Sequence, residues 1–98
     1  MTQYALIINK KDNVATALKH LAKADRIHLK FEDRAVEVIL SQAIPFGHKF
    51  ALSNIDRGGA VVKYGEKIGT ASEVINKGDH VHLHNMEGFR GRGDINAL

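Results

Sequence analysis

The sequence contains no cysteine. Disulfides and thiolate metal sites are therefore excluded, which fits a reducing compartment. Aromatic residues are few and scattered, four Phe and two Tyr. They offer no stacking platform for bases, so a nucleic-acid partner is not expected. Gly88-Phe89-Arg90-Gly91 has the form of a nucleic-acid-binding loop, but it lacks the helices that such a loop needs on either side. No apolar run is long enough to span a bilayer. The start, Met1-Thr2-Gln3-Tyr4, carries no basic segment followed by a long apolar stretch. The expectation is a cytoplasmic protein that binds no membrane. The charge excess is also small: 14 basic against 11 acidic residues give +3. A charge of that size bears on solubility more than on function.

What the sequence does contain is histidine at close spacing. His80-Val81-His82-Leu83-His84-Asn85 alternates three imidazoles with two apolar side chains. In an extended strand the three rings share one face, and Val81 and Leu83 point into a core. Neighbouring rings then stand roughly 6.6 Å apart at Cα, from a rise of about 3.3 Å per residue. Two of them can converge on one metal ion, since neutral imidazole is a common ligand. The plain alternative is a polar strand face that happens to be rich in histidine.

Ninety-eight residues make one domain with a small core. Tyr4 to Ile8 reads as a first strand, buried on both faces. Asp12 or Asn13 then caps an expected short helix, Val14 to Ala22, with Val14, Leu18 and Leu21 on one face. Ile27 to Phe31 alternates, with Ile27, Leu29 and Phe31 inward and His28 and Lys30 outward. It pairs with Ala35 to Leu40 across a turn at Glu32-Asp33-Arg34. His20 and His28 read as surface residues.

The second half holds an internal repeat. Ala51 to Gly58 aligns with Ala71 to Gly78, and Ile44-Pro45-Phe46-Gly47 is a shorter copy. Each copy reads Ile-x-x-Gly: an isoleucine enters the core, and glycine makes a turn that needs positive φ or close backbone approach. Strands are expected at His48 to Leu52, Ala60 to Tyr64 and His80 to Asn85, with a tight turn at Gly65 to Gly69. The class is mostly β with one short N-terminal helix. The domain is expected over 1–86, with 87–98 as a flexible tail rich in Gly and Arg.

Gly47-His48-Lys49-Phe50-Ala51-Leu52, Val62-Lys63-Tyr64-Gly65, Ile68-Gly69 and Gly78 to Asn85 occur in this order. Together they resemble the SAF-type small domain of the altronate and galactarate dehydratase family. The small subunit of sulfolactate sulfo-lyase is similar. The resemblance implies an SAF-type β-clip fold and a metal-dependent lyase acting on a sugar acid such as altronate or galactarate. It also implies a large catalytic subunit as partner, with this chain inactive alone; a homo-oligomer is left open.

The metal set expected is His80, His82 and His84, two of them as ligands, holding Fe2+ or Mn2+. Imidazole favours these over magnesium. The expected catalytic residues are His48 and His84, with Lys49, Lys63 and Asn85 binding substrate. Arg90 and Arg92 are further candidates for a carboxylate or for the large subunit. The alternatives are a sulfo-lyase small subunit and a sugar-acid-binding module without chemistry. Three aligned imidazoles speak against the latter.

Overall fold

A computed structural model of the chain describes residues 4–88. It contains nine strands: β1 Ala5–Leu6, β2 Val14–Ala17, β3 Arg26–Phe31, β4 Arg34–Ile39, β5 Lys49–Ala51, β6 Ala60–Lys63, β7 Glu66–Ala71, β8 His80–Val81 and β9 Met86–Gly88. They form a four-stranded sheet in the order β1-β2-β5-β8, the hairpin β3-β4, and a three-stranded sheet in the order β6-β7-β9. All paired strands are antiparallel.

The four-stranded sheet is the middle layer, and side-chain alternation divides its residues between two cores. Ala15, Ala17 and Phe50 face the hairpin and join Ile27, Leu29, Val38 and Leu40. Val14, Ala51 and Val81 face the other way and join Val61, Ala71, Ile75 and Met86.

The expected helix over 14–22 is absent, and the described residues contain no helix at all. None is therefore long and apolar enough to cross a membrane. The i, i+4, i+7 spacing of Val14, Leu18 and Leu21 is a coincidence of period. Val14 and Leu21 are buried but belong to different cores, while Leu18 is 40% exposed. Val14 to Ala17 instead pairs on both sides, with β1 and with β5. The two proposed caps bond elsewhere. Asp12 accepts the N–H groups of Asn9 and Gly65, and Asn13 bonds the backbone of Val62 and Ala60. Helix periodicity lost to the sheet hydrogen bonds available on both edges of β2.

The β3-β4 hairpin follows the sequence closely. Ile27 and Leu29 are buried, while His28 and Lys30 are exposed. The turn expected at 65–69 is instead most of β7. The chain reverses earlier, at Tyr64 and Gly65, whose φ angles of 60° and 74° suit a type I′ hairpin turn. Glu87 and Gly88, read with the tail, lie in β9 against β7. The remainder of that segment, including Arg90 and Arg92, lies outside the described residues.

The Ile-x-x-Gly turns organise the fold, and there are four among the described residues. Gly47, Gly58 and Gly78 all take positive φ, and so does Ala24 in Leu21-Ala22-Lys23-Ala24. The turns pair two by two through bridges, Leu21 with Ile44 and Ile55 with Ile75. In each copy the N–H of the positive-φ residue donates to a backbone carbonyl in or just after a strand: Leu40, Ala17, Ala71 and Ala51 in chain order. Alanine in the glycine position hid the first copy from the sequence pattern.

Candidate functional site: an imidazole cluster

The site is built by strand register and one turn. Pairing of β5 with β8 sets Phe50 opposite His80 and Lys49 opposite Val81. His48, just before β5, therefore comes beside His82. Their rings stack with centroids 4.5 Å apart and planes 11° apart. His48 also meets His80, Nδ1 to Nε2 at 2.9 Å.

The strand expected to run to Asn85 stops at Val81. Asn85 and Met86 both donate their N–H groups to the His82 carbonyl, closing a tight turn. The Asn85 amide locks it: Oδ1 accepts from His82 N–H, and Nδ2 donates to the His80 carbonyl. The turn has two consequences. Leu83, expected in the core, is 77% exposed. His84 is folded back, so that its ring lies 5.4 Å from that of His80. An extended strand would separate these two residues by roughly 13 Å.

The residues picked out by sequence thus fall into two groups. His48, His80, His82 and His84 come together. Lys49 and Lys63 do not join the ring stack. Consecutive strand residues face opposite ways, so Lys49 shares a face with Val81 rather than with His80. Its charge still reaches the cluster, as the pKa shifts below record. Lys63 sits over the Tyr64 ring, 5.0 Å from its centroid. Asn85 is buried, and its amide is engaged by its own turn. Gln42 was not foreseen; its Oε1 accepts from His80 N–H at 3.2 Å. No sequence signal marks it, because the contact depends on a loop that packs from 38 positions away.

The electrostatics disfavour charge on two of the rings. His80 is lowered from 6.5 to about 4, first by burial and then by His48, His84, His82 and Lys49. His82 is also lowered, first by burial and then by His48, Lys49 and His84. The Lys49 ammonium is lowered by burial and by the neighbouring charge of Lys63. Neutral imidazoles with free lone pairs are the form that binds metal ions or accepts protons.

A pH dependence of stability follows. The unfolded chain binds a proton at His80 that the folded chain refuses between pH 6.5 and about 4. Stability is therefore held above pH 6.5 and falls as pH drops toward 4. Thermal midpoints measured across that window should fall, and His80→Gln should flatten the slope. Equal slopes in the two proteins would contradict the shift.

The fit to a metal ion is partial. Two ligand nitrogens bound at about 2.1 Å and at right angles stand about 3 Å apart. The 2.9 Å between His48 Nδ1 and His80 Nε2, a hydrogen bond between the two rings, is close to that spacing. Among the described residues, however, no set of three or more His, Cys, Asp or Glu side chains is arranged to hold an ion. Two clefts lie elsewhere, one of about 300 Å³ lined by Tyr4, Lys19 and Arg26, the other of about 420 Å³ lined by His28, Lys30 and Glu37.

Known proteins resemble this chain over most of its length. Residues 3–88 match the family described as altronate/galactarate dehydratase SAF domain. The altronate dehydratase of Bacillus subtilis (strain 168) is 41% identical over 80 residues, 82% of this chain and 15% of that protein. That of Escherichia coli (strain K12) is 44% identical over 78 residues, 80% of this chain and again 15% of that protein. The (2R)-sulfolactate sulfo-lyase subunit alpha of Chromohalobacter salexigens is 38% identical over 56 residues, 57% of this chain and 60% of that protein. The chain thus covers a small part of the dehydratases and a larger part of the sulfo-lyase subunit. With the family match spanning residues 3–88, the chain belongs to the altronate/galactarate dehydratase SAF domain family.

Proposed function

We propose that this chain is the small component of a metal-dependent lyase that removes water from a sugar acid, and that a large lyase chain completes the site. The observation that carries this reading is the gathering of four imidazoles by the β5-β8 register and the Asn85 turn. A fold alone does not need four imidazole rings gathered at its surface.

In this reading His48 and His80 would hold a divalent ion, Fe2+ or Mn2+, together with groups of the large chain. Bound there, the ion would supply Lewis acidity toward the acid. Lys49, and Lys63 beside it, attract the anionic substrate. His84, exposed at the rim of the cluster, handles a proton. The chemistry is elimination: a base removes the proton next to the carboxylate, and the hydroxyl on the neighbouring carbon takes a proton and leaves as water. The resulting enol becomes a 2-keto-3-deoxy acid. Asn85 serves by fixing the His82–His84 turn.

A second reading draws on the sulfo-lyase relative, which this chain covers to 60% of its length. The same residues would then act on sulfolactate, with a C–S bond breaking in place of C–O and sulfite leaving.

The test mixes this chain with the large chain and Fe2+ or Mn2+. Hexonates, hexarates and sulfolactate are offered in turn. Keto acid should form only when both chains and the ion are present. Sulfite release from sulfolactate alone would favour the second reading. No product from any acid, or full activity from the large chain alone, would overturn both.

A further inference from the structure

The described apolar side chains with the highest exposure are Leu83, at 77%, and Phe46, at 69%. Both are close in sequence to members of the histidine cluster. Leu83 lies between His82 and His84, and Phe46 is two residues before His48. The rings of His48 and His82 are in contact, so the two apolar residues border one stack along the chain. Leu83 is presented outward by the Asn85 turn, not by a fraying end. A large apolar side chain held out by a locked turn, beside polar rings, is the form of an interface anchor.

The charge beside the stack is one-sided, carried by Lys49 with Lys63 near it. The carboxylate adjacent in sequence, Asp79, already bonds Ser41 Oγ and Asn76 N–H. The ion pairs among the described residues that involve histidine or arginine lie on the hairpin, where Glu37 meets Arg26 and His28. A complementary surface would bring carboxylates. The altronate dehydratases match this chain over 15% of their length, so the greater part of such a protein is available as the covering body.

We propose that the face bearing Phe46 and Leu83 is the docking face for the large lyase chain, which seats these two side chains in apolar recesses and sets carboxylates toward Lys49 and Lys63 beside the imidazole stack. The proposal rests on the lyase reading above and names the surface through which it works. Docking also removes the cluster from bulk water, which strengthens every electrostatic interaction inside it.

The test is calorimetric titration of this chain into the large chain, without metal or substrate. Phe46→Ser and Leu83→Ser should each weaken binding about tenfold or more. Ile39→Ser should leave it unchanged, because Ile39 is exposed on the side of the hairpin turned away from the core. Both residues under test are exposed, and circular dichroism of each variant checks that the fold is kept. Variants that bind as tightly as the native chain would overturn the proposal, as would a native chain that does not bind. A dimer of this chain alone, broken by the same two changes, would also overturn it and assign the face to self-association. The two readings fail separately. Binding that needs Phe46 and Leu83 without product from any acid sinks the lyase reading alone. Product formation with undiminished binding of both variants sinks the docking face alone.

Discussion

Replacing Gly78 with alanine destabilises the fold by about 3 kcal/mol or more, while the same change at Gly47 costs about 1–2 kcal/mol. Both glycines occupy the same place in the repeated turn, with φ of 94° and 84°. Each substitution therefore meets the penalty of a left-handed backbone for a residue with a Cβ. Their surroundings differ. A Cβ on Gly47 meets nothing within 4 Å, whereas one on Gly78 runs into the Ile39 carbonyl oxygen. That oxygen is backbone at the end of β4 and cannot swing aside. The Gly78 turn must move, and with it two local anchors: the bond from Gly78 N–H to Ala51 and the bond from Ser41 N–H to Gly78. His80 lies two residues on, so the imidazole cluster loosens with the fold. Urea denaturation of the two variants checks this. Equal losses at Gly47 and Gly78 would show that the close approach to β4 carries no weight.

His80→Ala lowers the rate of keto-acid formation, measured with the large chain and Mn2+, by about a hundredfold or more. His80 touches every other ring of the cluster. Its loss removes one of the two paired nitrogens and leaves His48 Nδ1 without its partner. The fold should survive at neutral pH, because β8 is held by backbone bonds to β5 and the Asn85 amide uses the His80 carbonyl, not its ring. His28→Ala is the control: this ring is exposed on the hairpin beside Glu37. It should leave the rate unchanged. A His80→Ala protein that is folded, docks normally and retains full activity would remove the cluster from the chemistry.

Much of this molecule was legible in its residues, for reasons that differ from place to place. The β3-β4 hairpin was legible because strict alternation between Arg26 and Phe31 has a single reading when one face is buried. The glycine turns were legible because positive φ selects glycine, and the copy at Ala24 escaped for the same reason. The 14–22 segment misled because a short stretch of Val, Ala, Thr and Leu satisfies helix spacing by chance, and only pairing with β1 and β5 decides it. The histidine run was found, but its shape was not. Alternation predicted a flat row of rings with Leu83 inside. The fate of that row was decided by Asn85, whose amide closes a turn that no local pattern announces. The contact between His48 and His80 depends on the register of strands 32 residues apart.

The central claim is that His48 and His80 are this chain's share of an ion site completed by a large chain. It is tested most directly by labelling the histidines of this chain alone with ¹⁵N. The labelled chain is then mixed with the unlabelled large chain and Mn2+, and the electron spin echo is recorded. The account predicts ¹⁵N coupling to the manganese that disappears in the His48→Ala, His80→Ala double variant. Manganese bound in the mixture with no coupling to any labelled nitrogen would contradict it.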